Sequence, residues 1–404
     1  MTKKMIILLN LILLTGCWNY RELNDLAIVS ALSIEIVEDE FLIGAQIMNA
    51  QKSGTSNGSA EASSNTPVIV YKFKGKSIHE ALRKMTTESP KNLYLGHISM
   101  IMIDDKVAKE GFKDVADFLI RDHETRKQFK VMIIRNKSAN QGLTILSHLE
   151  ALPSQENLDI LNTASNYYGN VTSVSFDEFL SFIYAEGVEP VMPYADLEGD
   201  IDEGMKKEST EQTVPKSFLR FKGLGVFKQD KLVGYFNDLE SLAYNLIVGN
   251  VKSTIIPFKC DTESYASIEI VRYEPNLKVE IKNNNKPFVK INITGDTHQS
   301  EINCDIDMES LEGRNKISKL ANDEVEKIIR SAIEIAKEKY TSDIFGFGRY
   351  LYRYNYKYWE ENKENWDQLF KNIDYEVNSN LTLVKKGSTL NSVKGATKKW
   401  KMIK

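Results

Sequence analysis

Apolar residues in the first third of the chain follow a strand-like period that is interrupted by helix-like stretches. Leu26 to Val37 and Phe41 to Met48 are apolar and β-branched on either side of the acidic residues 38–40, which predicts a β-hairpin. Ser77 and Glu80 have the spacing of a capping box, in which both side chains satisfy free N–H groups at a helix start. Further strands are predicted at 68–75, 93–103 and 130–135, and an amphipathic helix at 107–120.

The pattern changes in the middle of the chain. Residues 138–195 are dominated by helix-length apolar stretches, so we predict a mainly helical second domain there. The segment 198–217 is charged, has few apolar residues and contains Pro215, which makes it the best linker candidate. Residues 54–66 are rich in Gly and Ser and are expected to form a flexible loop.

After this linker the pattern returns to short strands and then to one long helix. Two strands are predicted around Gln229-Asp230, and period-two alternation within 266–293 predicts an antiparallel meander with one face covered. Residues 317–340 place apolar side chains at steps of three and four, which predicts a helix laid across that sheet. Alternatively, these apolar side chains could form a groove that binds a helix of a partner protein. A closing strand is predicted at 375–384.

The first seventeen residues have the layout of a bacterial lipoprotein signal peptide. Lys3 and Lys4 precede the apolar stretch Met5 to Leu14, which is shorter than the roughly 20 residues that a membrane-spanning helix needs. Leu14-Thr15-Gly16-Cys17 has the form of a lipobox. This resemblance implies cleavage before Cys17 and a diacylglycerol on its thiol, with an N-acyl lipid as a further modification. The alternative is an ordinary secreted protein with a chance cysteine near its cleavage site.

These patterns together predict an α+β fold with three domains of mixed sheets and helices. In this prediction the C-terminal domain is an antiparallel sheet packed by long helices. The predicted divisions are a lipoprotein signal peptide at 1–16, an N-terminal α+β domain at 17–136, a mainly helical second domain with the linker at 137–216, a C-terminal α+β domain at 217–390 and a basic tail at 391–404.

Charge and cysteine content narrow the classes of function. The chain has 52 Lys and Arg against 56 Asp and Glu, a formal net charge of −4. We predict no nucleic-acid partner, because such a partner requires a basic patch or stripe. Of the three cysteines, Cys17 is assigned to lipid. Cys260 and Cys304 are expected to be unpaired, half-buried thiols, although an oxidising exterior would permit a disulfide.

Known motifs for catalysis or metal binding are absent from the sequence. It has no G-x-S-x-G, H-E-x-x-H, P-loop or C-x-x-C, and none of its five histidines has a second histidine at ligand spacing. We therefore predict no enzyme activity, no catalytic residue, no metal site and no cofactor beyond the lipid on Cys17. Gly346-Phe347-Gly348 lies between two helical segments and is expected to form a helix-terminating turn.

Residues 345–366 combine aromatic and basic side chains. On one continuous helix, Phe347, Leu351 and Tyr354 would face the core. The candidate partner interface consists of the residues left on the outside, which are Arg349, Arg353 and Tyr356. Core packing explains much of the segment, while Tyr, Trp and Arg are also frequent anchors of protein interfaces and membrane surfaces. The Lys-rich tail is interpreted either as a contact to anionic lipid or as a solubilising tail.

Four stretches, taken in order, resemble the GerC-type lipoproteins, which are the C subunits of spore germinant receptors. They are Gly16 to Ala27 (GCWNYRELNDLA), Leu95 to Ile98 (LGHI) with RDHETR at 121–126, Gly223 to Phe227 (GLGVF) with KLVGY at 231–235, and Asp343 to Arg349 (DIFGFGR) followed by Trp359 and Trp366. Their spacing covers nearly the whole chain after residue 16. Asn19-Tyr20 departs from the family pattern, in which Asp and a basic residue are expected, and the basic tail after Gly387 is longer than expected.

The resemblance implies a non-enzymatic subunit of a nutrient-sensing receptor on the outer face of the spore inner membrane. It implies two integral membrane partners, the A and B subunits, together with membrane lipid. The predicted function is assembly and signalling in nutrient-triggered germination. Two alternatives stay open. A lipid-anchored extracytoplasmic solute-binding protein would show a deep cleft with convergent polar groups, and a cell-envelope hydrolase would show a carboxylate pair in a pocket.

Overall fold

The computed structural model of the protein describes residues 22–49, 66–282 and 285–385. Within these ranges, helices and strands are mixed and the strands form two sheets, which confirms the predicted α+β fold. Cys17, the basic tail at 391–404 and most of the predicted loop at 54–66 lie outside the described residues.

The first sheet has nine strands among the described residues. They are β1 (Leu26–Val37), β2 (Glu40–Met48), β3 (Val68–Gly75), β4 (Asn92–Tyr94), β5 (Met100–Asp104), β6 (Lys130–Arg135), β7 (Val191–Gly199), β8 (Ser217–Lys228) and β9 (Lys231–Phe236). Their order is β3-β2-β1-β5-β6-β7-β8-β9, and β4 pairs with β1. Strands β1, β5, β6 and β7 are parallel, whereas β1–β2 is the predicted antiparallel hairpin.

Helices pack against this sheet and between the two sheets. They are α1 (Ile78–Lys84), α2 (Asp105–Glu110), α3 (Lys113–Arg121), α4 (Ala139–Thr144), α5 (Pro153–Tyr167), α6 (Phe176–Ile183), α7 (Ile201–Gly204) and α8 (Asp238–Val248). Successive residues of a strand point to opposite faces, so the sheet separates two cores. On one face, Ile101 and Ile103 of β5 belong to the core that the sheet forms with helices α1, α2, α3 and α6. On the other face, Met100 and Met102 of the same strand belong to the core that the sheet forms with helices α4 and α5.

Several elements of this part differ from the pattern-based prediction. The helix predicted at 107–120 is two helices, α2 and α3, because Gly111 between them adopts a φ of +130°. The strand predicted at 93–103 is interrupted by a 3-10 turn, Leu95–His97. The predicted linker at 198–217 contains the helical turn α7 and a 3-10 turn, Lys207–Glu211.

Strands β8 and β9 belong to the first sheet and not to the C-terminal meander. β7 pairs with β8 from Val191↔Val226 to Gly199↔Ser217, and β8 pairs in turn with β9. Strand β7 itself lies in the region that was predicted to be mainly helical. The local alternation of a strand indicates which of its faces is buried, but it does not indicate the strand with which it pairs.

The second sheet contains β10 (Thr254–Lys259), β11 (Tyr265–Ile281), β12 (Pro287–Ile302) and β13 (Asp374–Lys385), in that order. Its first three strands are antiparallel, but β13 runs parallel to β12, so the sheet is mixed and not wholly antiparallel. The chain leaves β12 through α9 (Leu311–Glu334), a π-helical turn (Ile335–Tyr340), α10 (Phe347–Tyr354), α11 (Tyr356–Asn362) and α12 (Trp366–Lys371). A crossover of this kind returns the chain in the same direction.

One continuous apolar core joins the second sheet to the edge of the first. Ile317, Val325 and Ile329 of α9 are fully buried, which confirms that the predicted apolar stripe is core. The same cluster includes Leu224 of β8 and Phe236 of β9. The two sheets therefore share buried apolar surface, and burial of that surface is the main stabilising term in folding.

Cys260 and Cys304 form a disulfide, with their Cα atoms 6.2 Å apart, so the expectation of two free thiols was wrong. Cys260 follows β10 and Cys304 follows β12, and both of these strands pair with the beginning of β11. The pairing register therefore brings together two residues that are 44 positions apart in the sequence.

The disulfide is expected to be present in protein isolated without reductant. Alkylation of the denatured chain should then leave Cys260 and Cys304 unmodified until a reductant is added, as read by peptide mass spectrometry. Replacing both residues with Ser is expected to lower the free energy of unfolding by about 4 kcal/mol, because the cross-link restricts a long loop in the unfolded chain. Alkylation of both cysteines before reduction would contradict the assignment.

Candidate functional site

The carboxylate of Asp343 lies at the start of α10 and is 2% exposed. Its Oδ1 accepts hydrogen bonds from the backbone N–H groups of Gly346 (2.9 Å) and Phe347 (3.0 Å). Its Oδ2 accepts from the N–H of Gly348 (2.7 Å) and from Trp366 Nε1 (3.0 Å). Burial raises the pKa of Asp343 to about 6, while these N–H donors act in the opposite direction. The group is therefore mainly ionised at pH 7 and has all four donors directed at it.

The loop before β7 contacts this turn through its backbone. The Arg349 N–H donates to the Gly187 carbonyl (2.7 Å), and the Glu189 N–H donates to the Asp343 carbonyl (2.9 Å). Gly187 has a φ of +71°, and a Cβ there would lie 2.3 Å from the carbonyl carbon of Gly348. Only glycine fits this position without a shift of the backbone.

Side chains extend the same contact in both directions. Trp359 Nε1 donates to Glu186 (3.1 Å). Ser342 Oγ donates to the Phe227 carbonyl (2.6 Å), and the Tyr340 hydroxyl donates to the Tyr235 carbonyl (2.9 Å). We call these contacts, between residues 186–189 and 227–235 on one side and 340–367 on the other, the inter-sheet junction.

Ion pairs complete the inter-sheet junction at its outer edge. Lys228 at the end of β8 contacts Glu189 (2.9 Å) and Asp367 (2.5 Å). Lys228 therefore connects the loop before β7 to the first turn of α12. The junction joins the two sheets by hydrogen bonds, ion pairs and packed rings, so it can hold them in one relative orientation. Because every oxygen of Asp343 is occupied, this carboxylate is suited to a structural role and not to proton transfer.

A groove of about 660 Å³ lies beside the junction, between α6, α8 and α10. Arg349 and Arg353 of α10 line it, so the structure brings together two of the three residues predicted as a partner interface. We call it the arginine groove. The third residue, Tyr356, is not among the lining residues and lies at the start of α11 with 57% exposure.

The predicted burial of Tyr354 is wrong. Phe347 and Leu351 are fully buried, as predicted, but Tyr354 is 73% exposed. The predicted continuous helix ends at Asn355, whose φ of −146° and ψ of 61° are not helical. The expectation that Gly346-Phe347-Gly348 ends a helix was also wrong. Gly346 (φ +76°) immediately precedes α10, so these residues form the beginning of a helix.

Residues 22–49, 66–282 and 285–385 contain no cluster of three or more His, Cys, Asp or Glu side chains arranged to hold a metal ion. They also contain no helix that combines the length and the apolar character needed to cross a membrane.

Two family sequence profiles match the chain in consecutive order. The profile described as "Spore germination protein N-terminal domain" matches residues 19–197, and "Spore germination B3/ GerAC like, C-terminal" matches residues 222–387. The chain belongs to the GerC-type family of spore germination proteins. The two matches together cover most of the first sheet, the second sheet and the inter-sheet junction.

Similar full-length proteins carry germination names. "Spore germination protein KC" of Bacillus subtilis (strain 168) is 29% identical over 367 residues, which is 90% of this chain and 90% of the relative. "Spore germination protein GerQC" of Bacillus cereus is 22% identical over 387 residues, covering 94% of this chain and 97% of the relative. Neither name describes an enzymatic activity.

A solved structure supports the fold of this GerC-type chain. The structure titled "Crystal Structure of the GerBC protein" aligns with a TM-score of 0.56 and 16% identity. The alignment covers 87% of this chain and 96% of the other. At this identity the likeness shows a shared fold.

The structure gives physical roles to the segment Asp343 to Arg349, which carries part of the resemblance to the GerC-type family. Asp343 accepts the N–H groups of the glycine turn, and Trp366 donates to it from 23 residues further along the chain. The sequence indicated a turn at these glycines, but as the end of a helix and not as its beginning, and it did not indicate the contact with Gly187. The one available signal for that contact was the glycine itself, in the segment Glu186-Gly187-Val188.

Proposed function

We propose that this chain is a membrane-anchored lipoprotein subunit of a spore germinant receptor. The observation that carries the proposal is the consecutive match to both family profiles, over 19–197 and 222–387. The lipobox Leu14-Thr15-Gly16-Cys17 supports the anchor, with diacylglycerol on the Cys17 thiol and an N-acyl lipid on its amine. The site of action in this proposal is the outer face of the spore inner membrane.

In this role the chain works by contact and not by covalent chemistry. The lipid on Cys17 confines the folded body to the membrane plane, which raises its effective concentration beside the integral A and B subunits. Contacts that are weak in solution then suffice for assembly. The inter-sheet junction supports this mechanism, because a body whose two sheets are held together can transmit a displacement at one surface to the other.

The contact surface proposed for these partners is the exposed side of α10 and α11. Arg353 and Tyr356 are exposed there, together with Tyr352 (40%) and Tyr354 (73%). The rings of Tyr352 and Tyr356 are 5.9 Å apart. Exposed tyrosines beside an arginine resemble the anchor residues of protein interfaces, since they bury large areas at low cost in conformational entropy. Arg349, the third predicted interface residue, faces the arginine groove.

Purification from spore membranes in mild detergent tests this proposal. Two integral membrane proteins are expected to co-purify with the wild-type chain at constant ratio. A variant with Arg353→Ala and Tyr356→Ala is expected to lose at least about nine-tenths of that partner yield, because truncating interface anchors costs about 2 kcal/mol or more each.

The control is Tyr265→Ala, which removes a tyrosine of similar exposure (51%) from the second sheet. It should retain the partners. Recovery of the wild-type chain alone would contradict the receptor role. Full retention of the partners by the double variant would show that the interface does not lie on α10 and α11.

A further inference from the structure

The arginine groove has the size of a small-ligand site. Its volume of about 660 Å³ lies within the range of about 300–1,000 Å³ that is typical of ligand pockets. Its lining combines the two arginines with a set of apolar and aromatic side chains. We call this set the apolar wall, and it includes Phe182, Val191, Ile247 and Phe345. These side chains come from both sides of the inter-sheet junction, so the groove exists only when the two sheets are packed together.

The two arginines in the groove are not neutralised by the protein. Arg349 and Arg353 are four residues apart on α10, which places their side chains on one face of the helix. Among the described residues, no carboxylate lies within ion-pair distance of either guanidinium. Burial, together with the positive charge of Arg353, lowers the pKa of Arg349. The Arg349 guanidinium instead lies over the Phe182 ring, 5.5 Å from its centroid.

The acidic residue that lines the groove is already engaged. Glu178 Oε2 accepts hydrogen bonds from the backbone N–H (2.7 Å) and the hydroxyl (2.8 Å) of Ser175, and so caps the start of α6. It also lies 3.8 Å from Lys130. Glu178 is therefore held at the start of α6 and forms no ion pair with either arginine of the groove.

A third donor lies on the floor of the groove. Tyr244 of α8 is 5% exposed and lines the groove. Its hydroxyl has no hydrogen-bond partner in the part of the chain that the structure describes, so it is available to a ligand in the groove. Burial raises the pKa of Tyr244, so the hydroxyl stays protonated at neutral pH and can donate.

We propose that the arginine groove binds a small organic carboxylate. The two guanidinium groups and the Tyr244 hydroxyl supply donors for the carboxylate oxygens, since planar guanidinium groups match carboxylate geometry. The apolar wall takes the organic part of the ligand, which favours such a molecule over inorganic phosphate. This inference does not rest on the receptor role, because binding can be measured on the isolated chain.

Ligand-observed NMR on the full chain in mild detergent tests the inference. The probes are benzoate, the uncharged benzamide of the same shape, and inorganic phosphate. Benzoate is expected to bind with a dissociation constant of about 1 mM or lower, and benzamide and phosphate at least about tenfold more weakly. Arg353→Gln and Arg349→Gln are each expected to weaken benzoate binding at least about tenfold, because each removes a charged donor.

The control variant is Arg121→Gln, which removes an exposed arginine of α3 that is paired with Asp117. It should bind benzoate like the wild type. Arg353 is on the surface, so its variant is expected to fold, and circular dichroism checks this. Equal binding of benzoate and benzamide would overturn the inference, as would tighter binding of phosphate or unchanged benzoate binding in a folded Arg353→Gln variant.

Discussion

Replacing Cys17 with Ala is expected to release the chain from spore membranes and to abolish the nutrient response that depends on it. A thioether-linked diacylglycerol supplies two acyl chains, whereas a single chain gives only marginal and reversible membrane binding. Without the lipid, the effective concentration beside integral partners is lost. The membrane-bound fraction of the chain should fall at least about tenfold on immunoblots. Germination should fail across a panel of amino acids, sugars and nucleosides that trigger the wild type.

Asn19→Ala is the matched control for this experiment, because it lies two residues after Cys17 and keeps the lipobox intact. It should retain both the membrane association and the response. A full nutrient response from Cys17→Ala spores, with the chain released into the soluble fraction, would show that proximity to the membrane is not what the lipid contributes.

At pH 7, Asp343→Asn is expected to lower the free energy of unfolding by about 2–6 kcal/mol, because two buried donors lose their acceptor. The carboxylate accepts four hydrogen bonds, two at each oxygen. An amide keeps one acceptor oxygen and places an NH₂ group against two other donors. If the oxygen stays with Gly346 and Phe347, the N–H groups of Gly348 and Trp366 lose their acceptor, and each buried unpaired donor costs about 1–3 kcal/mol.

Chemical denaturation measures this effect, with Asp367→Asn as the control. Asp367 is on the same segment and pairs with Lys228, but its side chain is 53% exposed, so a loss below about 1 kcal/mol is expected. Trp366→Phe removes one of the donors. The double variant Asp343→Asn, Trp366→Phe should therefore lose less than the sum of the single losses. Additive losses would show that the indole does not contribute through this hydrogen bond.

The stability difference between the wild type and Asp343→Asn should also depend on pH. Burial raises the pKa of Asp343 from an ordinary value of 3.8 to about 6, so between these values the folded chain holds a proton that the unfolded chain has lost. The proton-linked part of the wild-type stability is therefore present below pH 3.8 and is lost as the pH rises through 6, whereas the amide of the variant does not titrate. The advantage of the wild type should accordingly narrow between pH 4 and pH 7.

Local sequence signals predicted the elements whose formation depends on neighbouring residues. The acidic break at 38–40 predicted the hairpin of β1 and β2, and Ser77 begins α1 as predicted, with its Oγ accepting the Glu80 N–H (3.1 Å). Strand β6 has the predicted bounds of 130–135. For the hairpin and the helix start, the deciding interaction lies between residues that are close in the sequence. Strand β6 was predicted because it is apolar on both faces and bounded by polar residues.

The sequence did not predict which strands pair when they are far apart in the chain. Strand β10 has a buried residue at every second position, but Pro257 near its middle weakened the strand signal. The parallel return of β13 and the membership of β8 and β9 in the first sheet depend on partners far away in the chain. The Cys260–Cys304 disulfide follows from the same pairing, so it could not be inferred from spacing alone.

The candidate site was predicted in part for the same reason. The aromatic and basic character of residues 345–366 indicated that this segment mattered, and Arg349 and Arg353 do lie together on one helix. The helix break at Asn355 separates Tyr356 from them and exposes Tyr354. The arginine groove is formed by residues from both sides of the inter-sheet junction. The periodicity of one segment cannot predict a surface that two distant segments form together.

Mass spectrometry of the N-terminal peptide, taken from the chain as purified from spore membranes, decides whether a lipid on Cys17 holds the folded body beside its membrane partners. We expect a peptide that begins at Cys17 and carries a diacylglycerol mass on its thiol. A peptide that still contains residues 1–16, or one that begins at Cys17 with an unmodified thiol, would contradict this expectation.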